Sequence, residues 1–209
     1  MTIKTFNNNN MRQNIYLYYN EKSGDGVIID AGFSPKDISA IGAAISEKNI
    51  TVKAILLTHG HYDHIIALDE IKSLTGAMVY CHESEKLLLE EPSLNLSVKI
   101  GKAITVTPDR LLKDGESIQI GDTALTVLHT PGHTQGGACY YDEKNGSLFA
   151  GDVLFMGSVG RSDLPQGDAA VLLDSIKSKL LTLPECVKVY PGHGMATTIG
   201  REKTSNPFL

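Results

Sequence analysis

The sequence predicts a mixed α/β (or α+β) fold, and three features of the chain support this. Short apolar runs of strand length, flanked by Gly or Pro, recur in both halves of the chain. Two of the polar loops that follow such runs lead into stretches with apolar residues at helical spacing. The chain has 209 residues, 42% of them hydrophobic, which suits one domain with a substantial core. We therefore expect residues 1–209 to form a single domain.

The first half of the chain predicts strands before helices. Strands are expected near 15–19 and 27–30, followed by a helix from about residue 35, where Ser34-Pro35 is a typical helix start. A further strand at 54–58 enters a polar run. After that run, apolar residues at helical spacing predict one helix: Ile65, Leu68, Ile71 and Leu74.

The second half repeats this plan. Its predicted strands lie near 116–120, 123–129, 138–142, 147–150 and 187–190. A helix is expected from Asp168 until Pro184, with one apolar face made of Ala169, Leu172, Leu173, Ile176 and Leu180. Residues 91–110 predict a loop between the halves that lines a cleft.

Composition excludes several partners and compartments. The formal net charge is −5 and no Lys/Arg cluster is visible, which argues against a nucleic-acid partner. The amino terminus has no signal-peptide core, and no stretch approaches the roughly 20 apolar residues of a membrane span. Three widely spaced cysteines, Cys81, Cys139 and Cys186, give no disulfide framework and favour a reducing compartment. We expect a cytoplasmic protein in which Cys139 and Cys186 are packing residues.

The most informative motif is His59-Gly60-His61-Tyr62-Asp63-His64, which places three imidazoles and a carboxylate within six residues. His and Asp are common ligands of zinc and iron. In an extended segment, residues two apart point the same way, so His59 and His61 can bind one metal together. If a helix begins near Asp63, then Asp63 and His64 project toward a second metal.

Matching ligands follow three other predicted strands. They are His133 in a Pro131-Gly132-His133 sequence, Asp152 after Gly151, and His193 in a Pro191-Gly192-His193 sequence. Sites in α/β folds collect beyond the carboxyl ends of strands. The sequence therefore predicts that all these ligands meet at one edge of the sheets.

This set of motifs resembles the metallo-β-lactamase-fold metallohydrolase superfamily. The motifs stand in that family's order, with Asp30 at a strand end, then His59–His64, His133, Asp152 and His193. The resemblance covers nearly the whole chain and implies a four-layer αββα sandwich. Within the superfamily the chain is most similar to small glyoxalase II-like (hydroxyacylglutathione hydrolase-like) proteins, on three stretches: 130–134, 151–163 and 206–209.

The resemblance also implies roles for the residues. His59, His61 and His133 would hold one divalent metal ion, Asp63, His64 and His193 a second, and Asp152 would bridge the two. Zinc is the expected metal, although iron and manganese accept the same ligands. Hydroxide held by the metals would be the nucleophile, and Asp63 would orient it and take its proton.

Two further residues are expected to support the site. Asp30 is expected to brace the ligand loop through hydrogen bonds, although a plain turn aspartate fits its position nearly as well. Arg161 is a candidate substrate contact, with a structural ion pair to an acid such as Asp163 as the alternative. His82 is expected at the surface, and His129 is expected to pack near the ligands without a catalytic role.

The function that fits best is hydrolysis of a small-molecule thioester. Outside the ligand set the chain has only His82 and His129, and it offers no obvious acid to protonate a leaving group. A thiolate needs such help least, because a thiol has a pKa of about 8.5. Little chain follows His193, so we expect no separate carboxyl-terminal helical domain of the kind that holds glutathione in full-length glyoxalase II. Simple thioesters should react, and β-lactams should react poorly.

Three other functions stay open. A mononuclear-iron persulfide dioxygenase would share the His59–His64 motif but use only His59, His133 and Asp152. A related nuclease would need a basic surface that the sequence does not show, and a non-enzymatic binding module would not need seven intact ligands. The oligomeric state is not indicated.

Overall fold

The computed structural model describes residues 1–8, 13–32 and 35–209, which include two six-stranded sheets. The first sheet keeps the order of the chain, with β1 to β3 antiparallel and β3 to β6 parallel. Its strands are β1 (Thr2–Asn8), β2 (Gln13–Tyr19), β3 (Asp25–Ile29), β4 (Thr51–Leu56), β5 (Met78–His82) and β6 (Arg110–Leu112).

The second sheet is built from the second half of the chain, in the order β14-β13-β10-β9-β8-β7. Only its β10–β13 pair is parallel. Its strands are β7 (Ser117–Ile120), β8 (Thr123–His129), β9 (Ala138–Asp142), β10 (Ser147–Gly151), β13 (Lys188–Pro191) and β14 (Thr197–Thr198). A two-stranded ribbon, β11 (Leu154–Phe155) and β12 (Ser158–Val159), follows β10.

The described residues form six α-helices. They are α1 (Pro35–Glu47), α2 (Tyr62–Ile65), α3 (Leu68–Thr75), α4 (Lys86–Glu90), α5 (Ala169–Ser175) and α6 (Ile199–Ser205). A π-helical segment, Ile176–Leu180, continues α5, and two 3-10 turns lie at Glu83–Glu85 and Ser97–Ile100.

Alternation along the strands of the first sheet creates two cores. In β2, Ile15 and Leu17 pack in one cluster with Ile41 of α1 and Ile71 of α3. Tyr16 and Tyr18 belong to a different cluster, which they share with side chains of the second sheet. Successive side chains of a strand point to opposite faces, so the first sheet is covered by helices on one face and by the second sheet on the other.

The second sheet is covered in the same way. Phe149 of β10 lies in the cluster between the sheets, whereas its neighbours Leu148 and Ala150 pack with Leu172 and Ile176 on the outer face. The layers are therefore helices, sheet, sheet and helices. This confirms the four-layer αββα sandwich that the family resemblance implies.

The predicted strands are present, but other elements differ from the sequence analysis. Strands β1, β5, β6, β11, β12 and β14 and helices α4 and α6 were not predicted. The helix expected after the histidine motif is divided into α2 and α3. Two backbone hydrogen bonds explain the break between α2 and α3. Ala31 N donates to His64 O, and Ala67 N donates to Ala31 O. These bonds to the end of β3 replace the helical bonds that a continuous helix would need.

The predictions for two helix starts and for two cysteines have different outcomes. Asp168 caps α5 by accepting hydrogen bonds from Ala170 N (2.9 Å) and Val171 N (3.1 Å), as a helix start there requires. The cap predicted at Ser34 lies outside the described residues. Cys139 is buried as predicted, but the prediction for Cys186 is wrong, because it is exposed in the turn before β13.

No helix in the described ranges is long and apolar enough to cross a membrane.

The inter-sheet core should dominate the stability of the fold. The ring of Phe149 lies 5.4 Å from Tyr16, 5.1 Å from Tyr18 and 5.4 Å from Tyr190, measured between centroids, and it is fully buried. We expect Phe149→Ala to lower the free energy of unfolding by about 3–5 kcal/mol, measured by chemical denaturation of the metal-free protein. Leu87→Ala, at a side chain that is 54% exposed, is the control and should change it by less than about 0.5 kcal/mol. Equal effects of the two would contradict this description of the core.

Candidate metal centre

The predicted ligands are carried by loops at one end of the two sheets. His59 follows β4, His133 follows β8, Asp152 follows β10 and His193 follows β13. Asp63 and His64 lie in the first turn of α2, which begins directly after His61. The structure thus brings all seven predicted ligands into one cleft, grouped in sets of three.

The first set, called the first triad below, consists of His59, His61 and His133, all buried. His61 Nδ1 lies 3.0 Å from His133 Nε2, and His133 Nε2 lies 3.3 Å from His59 Nε2. Three ring nitrogens therefore converge on one small volume, and three imidazoles are a common zinc environment.

The second triad consists of Asp63, His64 and His193. Asp63 Oδ2 lies 3.2 Å from His193 Nε2 and 4.0 Å from His64 Nε2. Asp152 stands between the triads, with Oδ1 3.5 Å from His64 Nε2 and Oδ2 3.8 Å from His133 Nε2. Asp152 therefore lies within reach of ligands from both triads and would be placed to bind metal ions at either one.

Two buried atoms show that the site fits a metal. Within the described part of the chain, His64 Nε2 and Asp152 Oδ1 have no hydrogen-bond partner, although both are buried in the cleft. Leaving such atoms unsatisfied costs about 1–3 kcal/mol each. A divalent cation between them would satisfy both, and zinc, iron and manganese all accept His and Asp ligands.

The protonation states of His59 and His61 also favour metal binding. Burial, followed by the charge of neighbouring imidazoles, lowers the pKa of His61 to about 3 and lowers the pKa of His59 well below its usual value. Both rings are therefore neutral at physiological pH, as metal ligation requires.

The second triad has the opposite electrostatic character. Burial alone would lower the pKa of His64, but the carboxylates of Asp30 and Asp152 outweigh it and raise the pKa well above the usual value. The pKa of His193 is also raised, because its hydrogen bond to Asp63 and the charge of Asp152 outweigh burial. The carboxylates thus make this part of the cleft attractive to cations.

Asp30 makes the bracing contacts expected of it. Its Oδ2 accepts a hydrogen bond from His64 Nδ1 (2.8 Å), and its Oδ1 accepts one from Thr58 N (2.8 Å). Thr58 Oγ1 donates to Asp30 and lies 3.1 Å from His59 Nδ1, so its oxygen can accept from that ring. In His64 and His59, these contacts favour a proton on Nδ1, so that Nε2 of each ring can bind a metal. Asp30 has φ +61°, a conformation that Asp adopts more readily than most residues.

Arg161 contributes through its backbone and its side chain. Its carbonyl oxygen accepts a hydrogen bond from His133 Nδ1 (2.7 Å), which orients that ring. Its Nε and Nη2 donate to the two carboxylate oxygens of Asp163, both at 2.8 Å, so the ion pair considered in the sequence analysis is present. The Arg161 side chain is exposed, and the residue is part of the wall of the cleft.

The two Pro-Gly-His sequences need glycine for steric reasons. Gly132 has φ +125°, and a Cβ there would lie 2.2 Å from Leu172 N of α5. A Cβ on Gly192 would lie 2.2 Å from Asp152 Oδ1. Each glycine therefore lets a ligand loop approach its neighbours closely.

Three polar residues that the sequence analysis did not select also hold the ligand loops. Asn14 Nδ2 donates to Pro191 O (3.0 Å) and Gly194 O (2.9 Å), and Gln13 forms a β-bridge with His193. Glu85 contacts the loops of His59 and His133. None belongs to a recognisable motif. Their only signal is a polar residue beside an apolar run, which a surface position would explain equally well.

The cleft has a volume of about 540 Å³, and both triads contribute to its lining. Its remaining wall includes the apolar side chains of Leu96, Phe155 and Val159 and the cationic side chains of Lys99 and Arg161. Leu96 and Lys99 come from residues 91–110, so the prediction that this loop lines the cleft is confirmed.

Known proteins resemble this chain in sequence or in fold. A hydroxyacylglutathione hydrolase, GloC of Haemophilus influenzae, is 35% identical over 95% of this chain and 93% of its own length. The crystal structure of BLEG-1, a B3 metallo-beta-lactamase, has a TM-score of 0.91 and 42% identity, covering 100% of this chain and 99% of that one. The di-iron-bound form of TTHA1623 has a TM-score of 0.84 and 36% identity, covering all of both chains.

The model of one protein family matches residues 9–193, which include every ligand of both triads. The chain belongs to the metallo-beta-lactamase superfamily.

Proposed function

We propose that this protein is a dinuclear metal-dependent hydrolase of small thioesters, such as hydroxyacyl conjugates of a thiol. The observation that carries the proposal is the pair of triads with Asp152 between them. The similarity to the hydroxyacylglutathione hydrolase of Haemophilus influenzae supports the substrate class.

Two divalent ions, zinc or alternatively iron or manganese, would be held by the triads and Asp152, and when bound they would activate water and polarise the substrate carbonyl. Asp63 is the proposed catalytic residue of the chain. Burial acts to raise its pKa, but the hydrogen bond from His193 and the charge of His64 outweigh burial and lower the pKa below its usual value, so the carboxylate is ionised. It can therefore orient the attacking water and accept its proton.

The rest of the cleft supports a substrate with an apolar acyl part and a polar tail. Leu96, Phe155 and Val159 offer apolar surface close to the triads. Arg161 is the proposed substrate contact, because Asp163 holds its Nε and Nη2 and leaves Nη1 for a substrate oxygen. Lys99 adds a second cation, which makes no ion pair with any residue that the structure describes.

The leaving group is the strongest reason for preferring a thioester. Apart from the triads and Asp152, the cleft-lining residues in the described ranges include no carboxylic acid or histidine. His82 and His129 do not act as the acid that protonates the leaving group, because they stack on each other outside the cleft lining. A thiolate leaves without protonation far more readily than an amide nitrogen or an alkoxide.

Hydrolysis of β-lactams is the second candidate, and the similarity to BLEG-1 favours it. Opening a β-lactam also begins with attack of water on a carbonyl carbon, so the same triads could serve. The amide nitrogen, however, would leave without a carboxylic acid or histidine in the described lining, outside the triads and Asp152, to protonate it.

Metal content separates the dinuclear hydrolase from the mononuclear-iron persulfide dioxygenase. That enzyme would use His59, His133 and Asp152, and would leave His64 and His193 without a metal. The contacts of both residues with Asp63 support two metals. One iron per chain, together with oxygen consumption on a thiol persulfide, would overturn the proposal.

We expect Asp152→Ala to reduce thioester hydrolysis to background and to lower metal content below two ions per chain, because the bridging carboxylate offsets the repulsion between the two cations. Metal analysis, steady-state kinetics and circular dichroism of the purified variant check this. Asp122→Ala, at an exposed carboxylate that pairs with Lys144, should change neither quantity. An Asp152→Ala variant with two tightly bound metals and a normal rate would show that Asp152 is not the bridging ligand.

Leaving-group dependence should identify the substrate class. With one acyl group attached to a thiol, an alcohol or an amine, kcat/KM should fall in that order. The thioester should exceed a β-lactam by a hundredfold or more, equivalent to about 2.7 kcal/mol of transition-state free energy. The reason is that, outside the triads and Asp152, the described cleft lining supplies no carboxylic acid or histidine to protonate a poor leaving group. A β-lactam hydrolysed as fast as the thioester would instead establish the second candidate.

A further inference from the structure

Residues 83–90, here called the wedge segment, lie between the two loops that carry the first triad. The segment follows β5 and consists of the 3-10 turn Glu83–Glu85 and helix α4. A Cβ on Gly60 would lie 2.8 Å from the side chains of Leu88 and Leu89. A Cβ on Gly136 would lie 2.1 Å from Glu85 N. Both loops therefore pack directly against this segment, with no space between.

The start of the wedge segment is held by both sheets. His82 is the last residue of β5 and His129 the last of β8, and their rings stack at 3.8 Å with an interplanar angle of 11°. His82 Nδ1 accepts a hydrogen bond from Ser84 N (3.3 Å). His82 is buried, so its predicted surface position is wrong, and its contacts fix where the wedge segment begins.

Glu85 is the polar centre of the wedge segment. Its Oε1 accepts from Gly60 N (2.7 Å), and its Oε2 accepts from Thr134 Oγ1 (2.9 Å) and Gly136 N (2.9 Å). It is fully buried and makes no ion pair with any described residue. Burial raises its pKa to about 7, against the three donors. A buried carboxylate is costly for a fold unless hydrogen bonds satisfy it, so the reason for its presence is to be sought in its three partners.

The positions of its partners supply that reason. Gly60 lies between the ligands His59 and His61, and Thr134 directly follows the ligand His133. One carboxylate thus fastens the two loops whose side chains form the first triad. We propose that Glu85 is a positioning residue that sets the spacing between His59 and His61 on one loop and His133 on the other, and so determines metal binding at the first triad. The inference rests on the metal-binding part of the proposed function and is independent of the substrate.

The geometry requires a carboxylate at this position. Gly60 N and Gly136 N can only donate hydrogen bonds, and they donate to different carboxylate oxygens of Glu85. An amide has one accepting oxygen and one donating nitrogen. In Glu85→Gln, the nitrogen would face one of these N–H groups in either orientation, and one of the two loops would be released.

Titration of metal-free protein with Co²⁺ tests this proposal without any substrate. The visible d–d absorption of bound Co²⁺ reports the ligand geometry, and the titration gives the affinities of the two sites. We expect Glu85→Gln to weaken one binding step by about 10- to 100-fold, the usual effect of losing a residue that orients metal ligands. The Co²⁺ spectrum of that step should change as well.

Asp142→Asn is the matched control. Asp142 is a buried carboxylate that accepts from Tyr18 Oη (2.5 Å) and Thr123 Oγ1 (2.9 Å), but it ends β9 and lies away from the ligand loops. This variant should lose stability in chemical denaturation while both Co²⁺ affinities and the spectrum stay as in the wild type. An equal loss of affinity in Asp142→Asn would overturn the proposal, because affinity would then follow general stability.

Thr134→Val is the second variant, and it decides the question if Glu85→Gln does not fold. It removes one of the three hydrogen bonds to Glu85 and keeps the carboxylate. We expect about three- to tenfold weaker binding at the same step, as the loss of one hydrogen bond implies. Unchanged Co²⁺ affinity and an unchanged spectrum in Thr134→Val, or in a folded Glu85→Gln, would overturn the proposal.

Discussion

The register between the two sheets determines whether a metal site exists, because each triad takes ligands from both sheets. The first triad combines His59 and His61 from the first sheet with His133 from the second. The second triad combines Asp63 and His64 with His193 in the same way. Hydrogen bonds between the two sheets fix their register close to the ligands. Tyr140 of the second sheet donates to Leu57 O (2.7 Å), and Tyr16 of the first donates to Pro191 O (2.6 Å). The same aromatic core that stabilises the sandwich thus aligns the two halves of the site.

The cleft concentrates polar groups that a stable fold would otherwise avoid. His59, His61, His64 and His133 are all buried, and a buried polar group costs free energy unless it has a partner. Hydrogen bonds between the ligand side chains and neighbouring residues offset part of that cost. Metal binding would offset the rest, so site formation and stability are coupled. This coupling explains why the supporting contacts, and not only the ligands, belong to the function.

Sequence patterns predicted the parts of the structure that depend on local order. Strands β2, β8, β9 and β10 follow from apolar runs, and the four strand-end ligands follow from the motifs. Strand β6 has only three residues and is defined by pairing with β5, which no local pattern encodes. The break between α2 and α3 likewise depends on backbone bonds to Ala31, more than thirty residues away. Glu85 was missed because its partners lie in two loops that are distant in sequence.

The site also separates what is common to the superfamily from what is particular to this chain. The triads and Asp152 would provide the water attack on a carbonyl group that we propose, and proteins named as a hydroxyacylglutathione hydrolase and as a B3 metallo-beta-lactamase are 35% and 42% identical to this chain. Selection between such substrates must therefore depend on the cleft wall. In this chain the wall comes from the loop around Leu96 and Lys99 and from the ribbon carrying Phe155 and Val159. Both lie outside the two main sheets, so they can vary without disturbing the register on which the metal centre depends.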